Sequence, residues 1–197
     1  PDGSTVRITY DGKGNIIRMT DAMGGETGYA YDSLNRVVRV TDPNGNRTEL
    51  AYDEGDNILT LTNAAGDVRR FSYNESGKVT EITDFDGSVV KRTYNALNRP
   101  EEITDQLGRV TTLAYDAMWN ISRVTLPDGA QTHYSYDGNN RLESVEDAGR
   151  HTIRYTYDGK GNRTGETDQL GNATRFSYDA LGRLVLVQGE DGLKMSY

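Results

Sequence analysis

The sequence predicts an all-β fold: tandem 21-residue β-hairpin repeats joined into a long, twisted antiparallel meander. Three observations carry this. Tyr10, Tyr31, Tyr52, Tyr73, Tyr94, Tyr115, Tyr136, Tyr157 and Tyr178 stand 21 residues apart without a slip, each followed by Asp or Asn. Each period holds two turn signals at fixed offsets from its marker tyrosine. Between the turns lie two short β-prone stretches, one of them alternating strictly. A fixed period of this size is the mark of a repeat architecture in which one supersecondary unit is stacked many times.

The first turn is marked by a glycine seven residues before the tyrosine: Gly3, Gly24, Gly45, Gly66, Gly87, Gly108, Gly129, Gly171 and Gly192. In several copies it ends a Pro-Asp-Gly or Pro-Asn-Gly run, where proline presets φ and glycine accepts φ > 0. The stretch that follows reads like Asn46 to Tyr52, with Thr48, Leu50 and Tyr52 on one face and Arg47, Glu49 and Ala51 on the other. A period of two indicates a strand with chemically distinct faces. Two positions before each marker lies a second, mostly bulky position: Ile8, Tyr29, Leu50, Phe71, Arg92, Leu113, Tyr134, Tyr155 and Phe176. All 13 tyrosines occupy these two positions, with Tyr197 on the second. The residue between them is small, as in Ala30, Ser72 and Ser177, leaving room for another layer on that face.

The second turn follows the marker. Its Asp or Asn can accept backbone N–H bonds. Four residues after the tyrosine stand Gly14, Asn35, Asp56, Gly77, Asn98, Asn140, Gly161 and Gly182, residues that tolerate left-handed backbone. The last stretch, as in Arg36 to Asp42, has apolar residues three apart (Val37 and Val40, Ile58 and Leu61), which predicts a β-bulge. No apolar stretch runs far enough without a breaker to make a helix. Three copies depart from the rule. Arg150 replaces the turn glycine, with Gly149 one place early, so that turn is expected to be shortened and the next strand lengthened by one. Trp119 sits at a left-handed turn position, with Asn120 expected to substitute for it. Arg163 and Glu166 replace an apolar pair and are expected to form a salt bridge.

Composition excludes several classes of function. Hydrophobic residues make up 35% and glycine 22 of 197 positions, too little bulk among too many turn formers for a thick core. The formal charge is −8 and the basic residues are scattered along the chain, which argues against nucleic acid as a partner. No run approaches the length of a membrane span. Cysteine is absent, so there is neither disulfide nor thiolate chemistry. His133 and His151, placed on the strand that leads into the marker tyrosine, read as solvated residues, and no metal site is expected. Aspartate-rich turns such as Asp84 to Gly87 and Asp11 to Asn15 lack calcium-loop spacing. Nothing aligns a nucleophile, a base and an oxyanion donor, so neither a catalytic residue nor a cofactor is expected.

Tyr31 to Asp53 and Tyr157 to Asn172 resemble the consensus of the Rhs family, also called YD-repeat proteins, and the resemblance runs through residues 1–197, nine full periods and a partial one. Because the chain starts and stops within a repeat, it is expected to be a piece of something longer. The resemblance implies a β-strip coiled into a hollow shell. In bacterial polymorphic toxins and in the B and C components of insecticidal toxin complexes, such a shell encloses a C-terminal toxin, and teneurins carry a similar barrel at animal cell surfaces. It therefore implies a secreted or cell-surface bacterial protein whose partners are the remaining repeats and the C-terminal cargo of its own chain. Asp42 to Gly45 looks like the DPxG of the family's self-cleaving segment, yet it fills an ordinary repeat turn and is assigned no catalytic role. The alternative function is a carbohydrate-binding surface that stacks sugars on the tyrosine ladder. The regularity of that ladder favours packing instead. Unpaired terminal strands also predict edge-to-edge self-association.

Overall fold

A turn every ten or so residues leaves room only for short strands. The computed structural model describes residues 5–190, 192 and 194–196, and among these there is no helix. The chain divides into two compact units, Pro1–Arg99 with Thr104–Gly108, and Pro100–Ile103 with Arg109–Tyr197. In the first, β1 (Arg7–Tyr10), β2 (Ile16–Thr20), β3 (Glu26–Tyr31), β4 (Val37–Thr41), β5 (Arg47–Tyr52), β6 (Ile58–Thr62), β7 (Val68–Tyr73), β8 (Val79–Thr83) and β9 (Val89–Tyr94) follow in order. Each pairs antiparallel with the next. The second unit takes up β10 (Pro100–Thr104) except its last residue. It continues with β11 (Val110–Tyr115), β12 (Ile121–Thr125), β13 (Gln131–Tyr136), β14 (Leu142–Glu146), β15 (Thr152–Tyr157), β16 (Arg163–Thr167), β17 (Ala173–Tyr178), β18 (Leu184–Gln188) and β19 (Lys194–Ser196). From β11 to β19 each strand again pairs antiparallel with the next. Each unit is thus an all-β hairpin meander.

The two kinds of hairpin differ in register. Across a marker turn, four positions pair and the register slips at the tyrosine: Ala30 faces Arg39 but Tyr31 faces Val37, leaving Val38 as a bulge. The same slip recurs at Tyr10, Tyr52, Tyr73, Tyr115, Tyr136, Tyr157 and Tyr178. One extra residue turns the side-chain alternation over once. This is why Val37 and Val40, three apart, lie on the same face as Tyr29 and Tyr31. Across a glycine turn only three positions pair, as in Arg39–Thr41 against Arg47–Glu49.

Among the described residues no side chain is fully buried. The apolar layer is a half-buried row on one face, in which Tyr29 lies opposite Val40, Leu50 opposite Leu61, Phe71 opposite Ile82 and Tyr134 opposite Val145. Each such cross-strand pair contributes about 0.2–1 kcal/mol. The other face alternates into solvent, as the exposed Arg47, Glu49 and Ala51 of β5 show.

The three irregular copies keep the common backbone. Arg150 itself takes the left-handed position, at φ 63°, and the turn closes as elsewhere, with the Asp147 N–H donating to His151 O and the Arg150 N–H to Asp147 O. The expected shortening does not occur, and β15 has the usual six residues. Trp119 likewise adopts φ 68° itself, so Asn120 does not replace it. In both places the hairpin register on either side dictates the backbone, and the residue bears the strain, about 1–2 kcal/mol for an L-residue. Arg163 and Glu166 do form an ion pair, at 3.0 Å. His151 lies in the turn before β15 and not on the strand, with its Nδ1 3.0 Å from Asp147 Oδ2.

Candidate functional site

The feature that recurs with the period is the marker turn and the tyrosine leading into it. In all nine copies the Asp or Asn after the tyrosine accepts two backbone N–H bonds from residues two and four places on. In the second copy these come from Leu34 and Arg36 to Asp32 Oδ1, both at 2.9 Å. Asn74 and Asn95 do the same with amide oxygens. The Asn35 N–H donates to Asp32 O at 3.1 Å, and Asn35 itself is left-handed at φ 64°. This is a type I turn closed by a left-handed residue, a common three-residue hairpin loop.

Ionised acceptors are favoured by these donors. The side-chain amides of Asn15, Asn46 and Asn57 hold Asp11, Asp42 and Asp53 below the usual carboxylate range. The Arg36 N–H does so for Asp32, and the Arg141 side chain for Asp137.

The marker tyrosine differs from its neighbour two residues back. Its hydroxyl donates to the carbonyl 15 residues earlier: Tyr31 to Ile16 O (2.8 Å), Tyr52 to Val37 O (2.7 Å), Tyr73 to Ile58 O (2.8 Å) and Tyr94 to Val79 O (2.7 Å). In the second unit Tyr115 reaches Pro100 O (2.7 Å), Tyr136 Ile121 O (3.0 Å), Tyr157 Leu142 O (2.8 Å) and Tyr178 Arg163 O (2.9 Å). Each acceptor is the first residue of a five-residue strand, beyond the end of the three-position ladder across the glycine turn. The phenol therefore satisfies a carbonyl that the short ladder leaves unpaired, and a Phe could not. At the other aromatic position Phe71, Phe176, Leu50 and Leu113 are accepted because only packing is needed there. Burial pushes the Tyr73 and Tyr136 phenols above their ordinary pKa.

Successive marker turns are also tied to each other. Arg36 donates through Nη1 to Asp53 O (3.0 Å) and Asp56 Oδ1 (2.7 Å), through Nε to Asp32 Oδ2 (2.7 Å), and lies over the Tyr52 ring at 4.6 Å. Arg141 repeats this with Asp158 O (2.8 Å), Asp137 Oδ2 and the Tyr157 ring at 4.6 Å. In two of the four copies with Asn at this position, its amide reaches the next turn instead, Asn15 to Asn35 and Asn120 to Asn140.

The glycine turns share this chemistry. Gly24, Gly45, Gly66, Gly87, Gly108, Gly129, Gly171 and Gly192 have φ between 76° and 91°, while Gly3 lies outside the described residues. The residue three before the glycine is again an N–H acceptor in several copies, such as Asp21, Asp42, Asn63 and Asp168. Sequence reasoning missed these residues, although an Asp or Asn three places ahead of the glycine is visible in six copies. Asp84 departs from the rule. It takes the Arg69 fork at 2.8–3.0 Å, and Arg69 stacks on Phe85 at 4.8 Å.

Chemically this arrangement ties hairpins together. The marker phenols are engaged inside the sheet, so the tyrosine ladder acts as its packing layer and the sugar-stacking alternative gains nothing. Among the described residues no group of His, Asp or Glu is placed to hold a metal. No helix among them is long and apolar enough to cross a membrane.

Comparison with known proteins agrees with the repeat fold. No curated protein matches the chain in sequence. The Teneurin YD-shell family matches residues 59–141. A crystal structure of TcdB2-TccC3 without its hypervariable C-terminal region superposes with a TM-score of 0.78 at 15% identity, covering 98% of this chain and 13% of that one. TcdB2-TccC3 gives 0.77 at 14% identity, with 98% and 13% covered. A Photorhabdus luminescens Tc holotoxin pore gives 0.60 at 14%, with 98% and 14% covered. At these identities the likeness is one of fold, and the chain spans about an eighth of the structures it matches. The RHS Repeat family matches residues 10–47, 31–68, 136–168 and 157–194, more than half of the sequence, and the chain belongs to that family.

Proposed function

We propose that residues 1–197 are a run of repeats in the wall of a β-shell that encloses a polypeptide, and that their role is mechanical: to enclose, shield and deliver. The observation that carries this reading is the unbroken 21-residue register, in which the marker phenols donate to the carbonyl 15 residues earlier in copy after copy and several successive marker turns are bonded to each other, with no metal-holding group of side chains among the described residues. A wall needs long-range regularity and tolerates variation at solvated positions, and that is the distribution found here. Superposition on TcdB2-TccC3 over 98% of the chain supports it. On this reading the partners are further repeats and a C-terminal cargo of the same polypeptide, the protein is secreted or displayed at a cell surface, and it is not itself an enzyme. The test is protease protection of the polypeptide that contains these repeats. Its C-terminal segment should survive digestion that destroys the same segment expressed alone. Equal digestion rates would defeat the proposal.

A further inference from the structure

Strand alternation sorts some of the basic residues that look scattered in the sequence onto the solvent face, away from the tyrosines. In the second unit Arg123, Arg154 and Arg175 all lie on that face and are exposed. Among the described residues none of them has a carboxylate within ion-pair distance. In the first unit three cations on the corresponding face are neutralised, Arg18 by Glu26 at 3.3 Å, Arg39 by Glu49 at 2.9 Å and Lys91 by Glu81 at 3.1 Å, while Arg47 and Arg70 are exposed there without an ion pair among the described residues.

Arg154 and Arg175 sit two strands apart and two residues out of register, about 12 Å between their backbones at sheet spacing. The strand between them places Gly165 opposite both Thr156 and Arg175, and Arg154 pairs in register with Thr167 and Ser144. The floor between the guanidinium groups is therefore bare backbone rimmed with hydroxyls. A Cβ on Gly165 would come within 2.6 Å of Thr156 Oγ1, so the floor does not accept a larger residue without displacement. Of the carboxylates nearby, Glu190 is engaged by the Ala173 N–H at 3.0 Å, and Glu146 is in register with His133 and Thr152.

We infer that the Arg154–Arg175 face docks an acidic polypeptide segment, with carboxylates on the two guanidinium groups and its backbone close to the Gly165 floor. Guanidinium groups pair bidentately with carboxylates, and the threonine and serine hydroxyls can serve peptide groups. The density of charge decides between a peptide and a polyelectrolyte. A nucleic acid or sulfated polysaccharide needs a dense basic footprint. Three arginines at intervals, on a chain of net charge −8, match a segment with widely spaced carboxylates. The inference does not depend on the enclosing role proposed above, since the face is exposed in the protein as it stands.

The experiment is a calorimetric titration of the 197-residue protein with a 15-residue Glu-Ser-Gly repeat peptide and, separately, a heparin fragment, at low salt. Arg154→Thr/Arg175→Thr is the variant, since Thr112 occupies the same repeat position, and Arg39→Thr is the control. The peptide should bind with Kd below about 1 mM, weakened about tenfold or more in the double variant and less than about twofold in the control. Absence of peptide binding, equal loss in the control, or tighter binding of heparin than of the peptide would each overturn the inference. Backbone amide spectra of the variants establish that the sheet is intact.

Discussion

Tyr155 and Tyr157 stand on the same strand and the same face, yet only Tyr157 donates its hydroxyl, to Leu142 O at 2.8 Å. Replacing each in turn by Phe separates packing from the hydrogen bond. Tyr157→Phe keeps the ring under Arg141 but removes one neutral hydrogen bond to a part-buried carbonyl. Such a bond contributes about 1 kcal/mol net, within about 0.5–1.5, which is roughly a fivefold change in a local opening equilibrium. Native-state hydrogen exchange should therefore show amides of β14, β15 and β16 exchanging about five times faster, with little change in β11 or β19, because each repeat leans mainly on its neighbours. Tyr155→Phe should change the same amides less than about twofold. Equal effects from the two substitutions would refute the assignment of the phenol, and uniform deprotection from β11 to β19 would refute the local coupling.

Other perturbations follow from the turns. Arg150→Gly relieves a left-handed arginine and, after the extra chain entropy of glycine, should stabilise the second unit by about 0.5–1 kcal/mol in urea titration; a loss of stability would contradict the strain. The marker-turn aspartates have folded pKa values held below the unfolded value, so their contribution is complete above the unfolded pKa and is lost as pH falls through the folded one. The urea midpoint should drop between pH 5 and acid. Asp53→Asn, which places at that turn the residue already used at Asn74 and Asn95, should leave neutral stability nearly unchanged and flatten the acid slope; an unchanged slope would count against it. Terminal strands should promote association, and light scattering at high concentration should show species above the monomer, where a monodisperse monomer would speak against edge pairing.

Much of this was legible in the sequence because the period fixes local chemistry. The interval between marker tyrosines sets the repeat, the alternation of Arg47 to Tyr52 sets the faces, and the three-residue spacing of Val37 and Val40 gives away the bulge. What was not legible has physical reasons. The acceptor of each marker phenol is a carbonyl, which carries no side-chain signature, so the reason for Tyr rather than Phe emerges only once β4 lies beside β5. Arg150 and Trp119 were misread because residue preference was weighed one turn at a time. In the folded chain, two paired strands on each side of the turn outweigh a strain of about 1–2 kcal/mol. The unpaired arginine face could not be seen in the sequence either, because Arg154 and Arg175 are 21 residues apart and become neighbours only through β16.

The central claim is that these repeats build an enclosing wall. Electron cryomicroscopy of the full polypeptide that carries them tests it most directly. The account predicts a closed wall in which the hairpin strip surrounds density for an enclosed polypeptide. An open strip exposed on both faces, with nothing within it, would contradict it.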